Sequence, residues 1–112
     1  MLFLETSEEM PSGVEVYRML RNMGERGLLE RFPAVLMGRA KAWERHRPNP
    51  PEQKREYVEG QRAAVERALA EYNASATIVF DLDIGHTDPQ LIIPIGGDIR
   101  VDGPAQEIHV RY

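Results

Sequence analysis

Apolar residues recur along this chain in patterns that predict short strands alternating with helices. Leu2–Leu4 is a short apolar segment, and a continuous apolar run follows at Phe32–Met37. Because the second run does not alternate with polar residues and ends at Gly38, we expect a strand from Ala34 that is buried on both faces. A third segment, Thr77–Ile84, begins with β-branched residues, which favour a strand. These three segments are the expected strands of the fold.

Two other segments carry apolar residues at helical spacing. The first begins at Ser12, which forms a capping box with Glu15, and predicts a helix over residues 12–26. The second is the longer helix, which we expect to begin after Asn49 as its N-cap and to end at Asn73 in a left-handed conformation. Both helices have one apolar face that can pack against a sheet.

The end of the chain predicts a β-hairpin. Residues 98–101 face residues 107–110 across Asp102-Gly103-Pro104, a sequence typical of turns. Because strands and helices interleave, the expected fold class is α/β, a small mixed sheet with two main helices against it. The chain has 112 residues, which predicts a single domain over 1–112. A globule of this size buries roughly 60 to 70% of its unfolded surface.

Composition and charge exclude several classes of protein. Apolar residues make up 42% and charged residues 29% of the sequence, which is typical of a folded globular domain. With a net charge of −4, the chain has no overall positive charge to attract nucleic acid or an anionic membrane. The absence of cysteine excludes disulfides, thiolate metal sites and a Cys nucleophile. Neither a membrane span nor a signal peptide is evident, so the cytoplasm is the expected compartment.

The stretch 81–89 has the strongest local signal for chemistry. Its glycine-bounded turn after a strand would expose His86 on a rigid support, as suits a catalytic or ligand-holding residue. The same glycine and proline also suit a purely structural turn. A metal site is a third interpretation, because Asp81, Asp83, His86 and Asp88 offer oxygen and imidazole ligands. Spacing alone leaves all three interpretations open.

Two further groups of side chains are candidates for function. Glu5 follows the first apolar segment, where a carboxylate could orient a histidine for general-base catalysis, although a solvated acidic loop is the alternative. Basic residues around Trp43 could contact phosphate or single-stranded nucleic acid, but the acidic total favours a solvated loop.

A nucleophile for such a histidine is missing from the sequence. The chain has three serines, Ser7, Ser12 and Ser75, and none lies in a Gly-x-Ser-x-Gly elbow. If the chemistry is acyl transfer, the nucleophile must therefore lie elsewhere.

Several of these segments together resemble the C-terminal domain of the LD-carboxypeptidase family of serine peptidases. The resemblance is carried in order by Leu2-Phe3-Leu4-Glu5, Tyr17-Arg18-Met19-Leu20, Ala34-Val35-Leu36-Met37-Gly38-Arg39, Asp83-Ile84-Gly85-His86-Thr87-Asp88-Pro89 and Leu91-x-x-Pro94-Ile95-Gly96. The family includes muramoyl-tetrapeptide carboxypeptidases, which act on peptidoglycan, and microcin C self-immunity peptidases. The Gly-His-Thr-Asp-Pro form resembles the microcin-immunity branch more than the peptidoglycan branch.

The resemblance implies a hydrolase whose Ser-His-Glu catalytic triad is divided between two domains. His86 would be the general base and Glu5 the residue that orients it, while the Ser would lie in an N-terminal domain. The chain would then be the C-terminal half of a serine carboxypeptidase that cuts an amide near the C-terminus of a peptide or peptidyl-nucleotide. No metal or cofactor is implied, a homodimeric parent is compatible with the resemblance, and the fragment alone would be inactive.

One departure and one alternative accompany this resemblance. Residues 40–60 are richer in charge and proline than the family's usual connection, which leaves substrate choice open. The alternative is a stand-alone binding or interaction module that keeps the fold without catalysis. A serine elbow encoded in frame upstream of Met1 would favour the enzyme.

Overall fold

The computed structural model describes all residues from Met1 to Tyr112, and a parallel sheet lies at its centre. The strands are β1 (Leu2–Leu4), β2 (Ala34–Gly38) and β3 (Thr77–Leu82), in the spatial order β1-β2-β3. Both neighbouring pairs are parallel, so the carboxyl ends of all three strands meet at one edge of the sheet. The strands that precede the two main candidate residues therefore flank β2 on either side.

The predicted hairpin forms, but it is a separate sheet. Strands β4 (Ile99–Asp102) and β5 (Glu107–Val110) pair antiparallel with each other and with no other strand. The hairpin lies beside β3, since Ile78 and Phe80 of that strand line one cavity together with Val101 and Ile108 of the hairpin. The α/β class is confirmed, with its parallel and antiparallel strands divided between two sheets.

Helix α1 (Gly13–Glu25) begins and ends as its sequence predicts. The Ser12 hydroxyl accepts a hydrogen bond from the Glu15 backbone N–H at 3.2 Å, and the Glu15 carboxylate accepts one from the Ser12 N–H at 2.7 Å. This reciprocal pair completes the capping box. At the other end, Gly27 has a φ of 67°, and the backbone N–H groups of Gly27 and Leu28 donate to carbonyls in the last turn of the helix.

Helix α2 (Pro51–Tyr72) does not use its predicted N-cap. Pro50 occupies the N-cap position, and no side chain caps the helix. Asn49 instead lies one residue earlier with a φ of 52°, and its side-chain amide donates to the Ala42 carbonyl at 2.9 Å. The predicted Asn49 cap is therefore wrong, because this side chain ties the preceding loop back on itself.

The predicted left-handed stop at Asn73 is also wrong. Asn73 has a φ of −160°, which is extended backbone. Its side-chain amide donates to the carbonyls of Leu29 and Phe32, at 2.9 and 2.8 Å. Asn73 thus fixes the end of α2 to the segment that leads into β2.

The hydrophobic core lies between the sheet and the two helices. Every residue of β2 is buried, as predicted for a strand covered on both faces. Val35 and Met37 belong to the helix-facing core, while Leu36 between them is fully buried on the opposite face. The helices contribute Val16, Leu20, Ala64, Val65, Ala68 and Leu69. Neither helix has both the length and the apolar character that crossing a bilayer requires.

Candidate active site

Glu5 and His86 meet at the carboxyl edge of the parallel sheet. Glu5 is the first residue after β1, and His86 lies in the loop that follows β3. The Glu5 Oε2 and His86 Nδ1 atoms are 2.9 Å apart, although the two residues are 81 positions apart in sequence. This edge is where open α/β sheets hold their sites. The structure thus brings these two predicted residues into hydrogen-bond contact.

The hydrogen bond determines which ring nitrogen of His86 remains available. A carboxylate oxygen only accepts hydrogen bonds, so His86 Nδ1 is the donor. In the neutral ring the proton then lies on Nδ1, and Nε2 presents its lone pair. The His86 side chain is 40% exposed and that of Glu5 is 44% exposed, so another molecule or domain can reach the pair. Chemically, the arrangement is an oriented general base at an accessible edge.

Gly85 leaves the space that the Glu5 carboxylate occupies. It has a φ of +94°, and a Cβ atom built there would overlap Glu5 Oε2. A glycine immediately before His86 is therefore needed both for backbone conformation and for room. The sequence pattern predicts Gly85 only as a turn residue. The overlap is invisible in sequence because the clashing atom belongs to Glu5, which is 80 positions away in sequence.

Arg39 supports the His86 loop on both sides. Its Nη2 atom pairs with Asp83 Oδ1 at 2.5 Å, and its Nη1 atom donates to the Asp88 carbonyl at 3.4 Å. The Arg39 backbone N–H also bonds to the Leu82 carbonyl at 3.0 Å, which continues the ladder beyond β2. One residue at the end of the central strand therefore anchors the loop before and after His86.

The four predicted metal ligands are not brought together. Asp81 has a φ of 59°, which interrupts strand alternation, and its carboxylate pairs with Arg62 of α2. Asp83 pairs with Arg39, and His86 with Glu5. No group of three or more His, Asp or Glu side chains converges anywhere in the chain.

The other acidic residues near Glu5 have different partners. The Glu8 carboxylate accepts a hydrogen bond from Lys41 Nζ at 3.0 Å, and this bond lowers the pKa of Glu8 below its ordinary value. Glu9 is exposed. Of the three acidic residues in this segment, Glu5 is the one that is hydrogen-bonded to His86.

The three serines have structural hydrogen bonds, and none is hydrogen-bonded to His86. Ser7 Oγ accepts from the Glu9 backbone N–H at 3.3 Å, Ser12 caps α1, and Ser75 Oγ donates to Asn73 Oδ1 at 3.2 Å. His86 has no serine hydroxyl as a partner within this chain.

A groove extends from His86 across the loop that precedes α2. Its volume is about 580 Å³, and its walls include Arg39, Lys41, Trp43, Lys54, His86 and Thr87. Lys41 Nζ lies 4.8 Å from the centre of the Trp43 ring, a cation–π arrangement. Of the basic residues around Trp43, which the composition predicts in a solvated loop, Arg39 and Lys41 therefore line a cavity next to the histidine.

Comparison with known protein families identifies one that matches this chain. A family model for the LD-carboxypeptidase C-terminal domain matches residues 1–101, nearly the whole chain. The matched region includes Glu5, His86 and the complete parallel sheet, and it ends before β5. A search among curated proteins returns no match to the chain.

Proposed function

This chain belongs to the LD-carboxypeptidase family of serine peptidases as its C-terminal domain, and we propose that it supplies the His and Glu of a Ser-His-Glu triad. The observation that carries the proposal is the hydrogen bond between Glu5 Oε2 and His86 Nδ1. Family membership supplies the class of reaction, and the geometry supplies a candidate base with its orienting carboxylate. The nucleophilic serine would come from an N-terminal domain.

In this proposal His86 moves the proton in both halves of the reaction. Its Nε2 accepts the serine proton as the serine oxygen attacks the scissile carbonyl, and it then donates that proton to the leaving amine. Glu5 keeps the other ring proton on Nδ1 and stabilises the imidazolium that forms between the two transfers. Both side chains of the pair are about half exposed, which leaves access for a serine from another domain and so supports the divided triad.

The proposed substrate is a peptide or peptidyl-nucleotide with an amide bond near its C-terminus. The sequence Gly85-His86-Thr87-Asp88-Pro89 supports the microcin-immunity type over the peptidoglycan type within the family. A cytoplasmic location and a homodimeric parent complete the proposal.

In the test, this chain is fused to an N-terminal domain of the family that carries the serine. Where the chain's own reading frame extends upstream, the domain encoded there is used. Release of the C-terminal group from a tetrapeptide and from a peptidyl-nucleotide is then measured. We expect His86→Ala to lower kcat by about 10³-fold or more, and Glu5→Gln by about 10²–10⁴-fold.

The chain contains a matched control for these variants. His109 Nε2 lies 3.1 Å from Glu107 Oε2 on the hairpin, so it forms a second His–carboxylate pair away from the sheet edge. His109→Ala should retain full activity. Equal losses for His109→Ala and His86→Ala would contradict the assignment, and turnover unaffected by His86→Ala would favour a non-catalytic module.

A further inference from the structure

We infer that Gln90 is a positioning residue for His86, because its side-chain amide holds the peptide that joins Gly85 to His86. This inference rests on the proposed function for the reaction that His86 serves. The Gln90 Nε2 atom donates a hydrogen bond to the Gly85 carbonyl at 2.5 Å. A carbonyl oxygen only accepts hydrogen bonds, so the amide nitrogen of Gln90 faces it. Gln90 therefore acts on the backbone directly before the candidate base.

The loop that carries His86 has almost no backbone hydrogen bonds to hold it. The Leu91 N–H donates to the Asp83 carbonyl at 2.6 Å, which closes the loop at its base. Residues 85–90 lie outside every helix and strand, and none of them takes part in a backbone–backbone hydrogen bond. Side chains must therefore fix the backbone of this segment.

Two side chains donate to the backbone of residues 85–90, and they hold different parts of it. Arg39 donates to the Asp88 carbonyl, which lies two residues after His86. Gln90 donates to the Gly85 carbonyl, which belongs to the same peptide as the backbone nitrogen of His86. A peptide unit is planar, so a bond that holds its oxygen also orients its nitrogen. Gln90 is thus the side chain that fixes the peptide adjoining the imidazole.

The glycine before His86 makes this restraint necessary. Gly85 has a φ of +94°, and Glu5 Oε2 occupies the space of a Cβ atom there. Glycine meets both demands, but its backbone is also the least restricted of any residue. Rotation of the peptide after Gly85 would move the His86 ring from its position 2.9 Å from Glu5. The bond from Gln90 opposes that rotation, because the Gly85 carbonyl turns with the peptide.

Substitution of Gln90 by glutamate tests the hydrogen-bond donor. The two side chains have nearly the same size, but a carboxylate has no N–H group to donate. Gln106 is an exposed residue in the turn of the hairpin, so Gln106→Glu makes the same change away from the sheet edge and is the matched control. Gln90→Ala removes the donor without adding a charge. Because Gln90 is exposed, both of its variants should keep the hydrophobic core intact.

NMR of the 112-residue chain measures the position and motion of His86 directly. Relaxation dispersion detects exchange on the microsecond-to-millisecond time scale. We expect exchange at the His86 backbone amide in Gln90→Glu and in Gln90→Ala, but not in the wild type or in Gln106→Glu. The signal of the His86 Nδ1–H proton should broaden in the same two variants, because the ring leaves Glu5 during the exchange. A residue that only stabilised the domain would change neither signal.

Peptidase activity of the fused two-domain enzyme gives the second measurement. Both Gln90 variants should lower kcat by about three- to tenfold, which corresponds to the loss of one hydrogen bond. KM should stay unchanged, because Gln90 positions the base and does not bind the substrate. Gln106→Glu should match the wild type in kcat and in KM.

Two results would overturn the inference. The first is unchanged His86 signals in both Gln90 variants, or equal effects of Gln90→Glu and Gln106→Glu. The second is a raised KM with unchanged kcat, which would place Gln90 in substrate binding.

Failure of the proposed function would look different. If the Gln90 variants release the His86 peptide while His86→Ala keeps full activity, the triad proposal fails and the positioning of His86 by Gln90 stands. If His86→Ala abolishes activity while both Gln90 variants match the wild type in both measurements, this inference fails and the triad stands.

Discussion

Substitution of Gly85 by alanine should separate Glu5 from His86 without altering either residue. The added Cβ would overlap Glu5 Oε2, and it would also lie 3.1 Å from Glu5 Cβ. The carboxylate can move because it is the end of a flexible side chain. That movement breaks the 2.9 Å contact with His86 Nδ1, which depends on the present position of Oε2.

The cost has two parts that a matched glycine can distinguish. A non-glycine residue at positive φ costs about 1–2 kcal/mol. Gly96 has a φ of +79° with no atom within 4 Å of a built Cβ, so Gly96→Ala should show the backbone cost alone. Gly85→Ala should add the loss of the His86–Glu5 hydrogen bond, which is about 1–2 kcal/mol for a bond to a charged group at a half-exposed site.

Two measurements on the isolated chain test this reasoning. Urea unfolding gives the change in the free energy of unfolding for each variant. NMR of the histidine ring reports the Nδ1–H proton, which we expect in the wild type and in Gly96→Ala but not in Gly85→Ala. An Nδ1–H signal that is unchanged in Gly85→Ala would show that the glycine does not hold Glu5 in place.

Three further predictions concern the cap, the helix end and the activity of the chain alone. Ser12→Ala should destabilise the domain by about 1 kcal/mol. Hydrogen bonding from the Ser12 backbone N–H lowers the pKa of Glu15. The stability that Glu15 adds is therefore present above its unfolded pKa and is lost as pH falls through its folded pKa. The difference in unfolding free energy between wild type and Glu15→Gln should shrink from about pH 7 to about pH 2, and a constant difference would contradict this. Asn73→Ala should cost about 1–3 kcal/mol in urea unfolding, because it leaves two carbonyls without their donor, and a loss below that of Ser12→Ala would contradict it. The 112-residue chain alone should release no product from a tetrapeptide or peptidyl-nucleotide, and turnover lost in Ser12→Ala or Ser75→Ala would refute the divided triad.

Local patterns were sufficient where the physical cause is local. The continuous apolar run predicted that β2 is buried on both faces, because only a strand covered on both faces can place every residue in the core. The capping box of α1 was predictable because both of its partners lie within one turn. The meeting of Glu5 and His86 also follows from parallel strands that end at one edge.

Patterns failed where a side chain bonds to a distant segment. Asn49 and Asn73 are good cap residues by type, yet their amides donate to the carbonyls of Ala42 and of the segment before β2. The left-handed conformation of Asp81 is accompanied by a shift in the β2–β3 register after Leu36. Sequence gives no sign of these contacts, because their partners come together only in the folded chain.

The two glycines at the carboxyl edge explain how residues that follow two non-adjacent strands can touch. Neighbouring strands lie about 4.8 Å apart, so β1 and β3 are separated by roughly 10 Å with the end of β2 between them. A Glu and a His can span that gap only if β2 has no side chain in the way. It ends in Gly38, where a Cβ would lie 2.7 Å from the Ile84 carbonyl. Gly38 lets the loop after β3 fold over the end of β2, and Gly85 then leaves room for the carboxylate that arrives from β1. The contact between Glu5 and His86 therefore depends on the positions of all three strands.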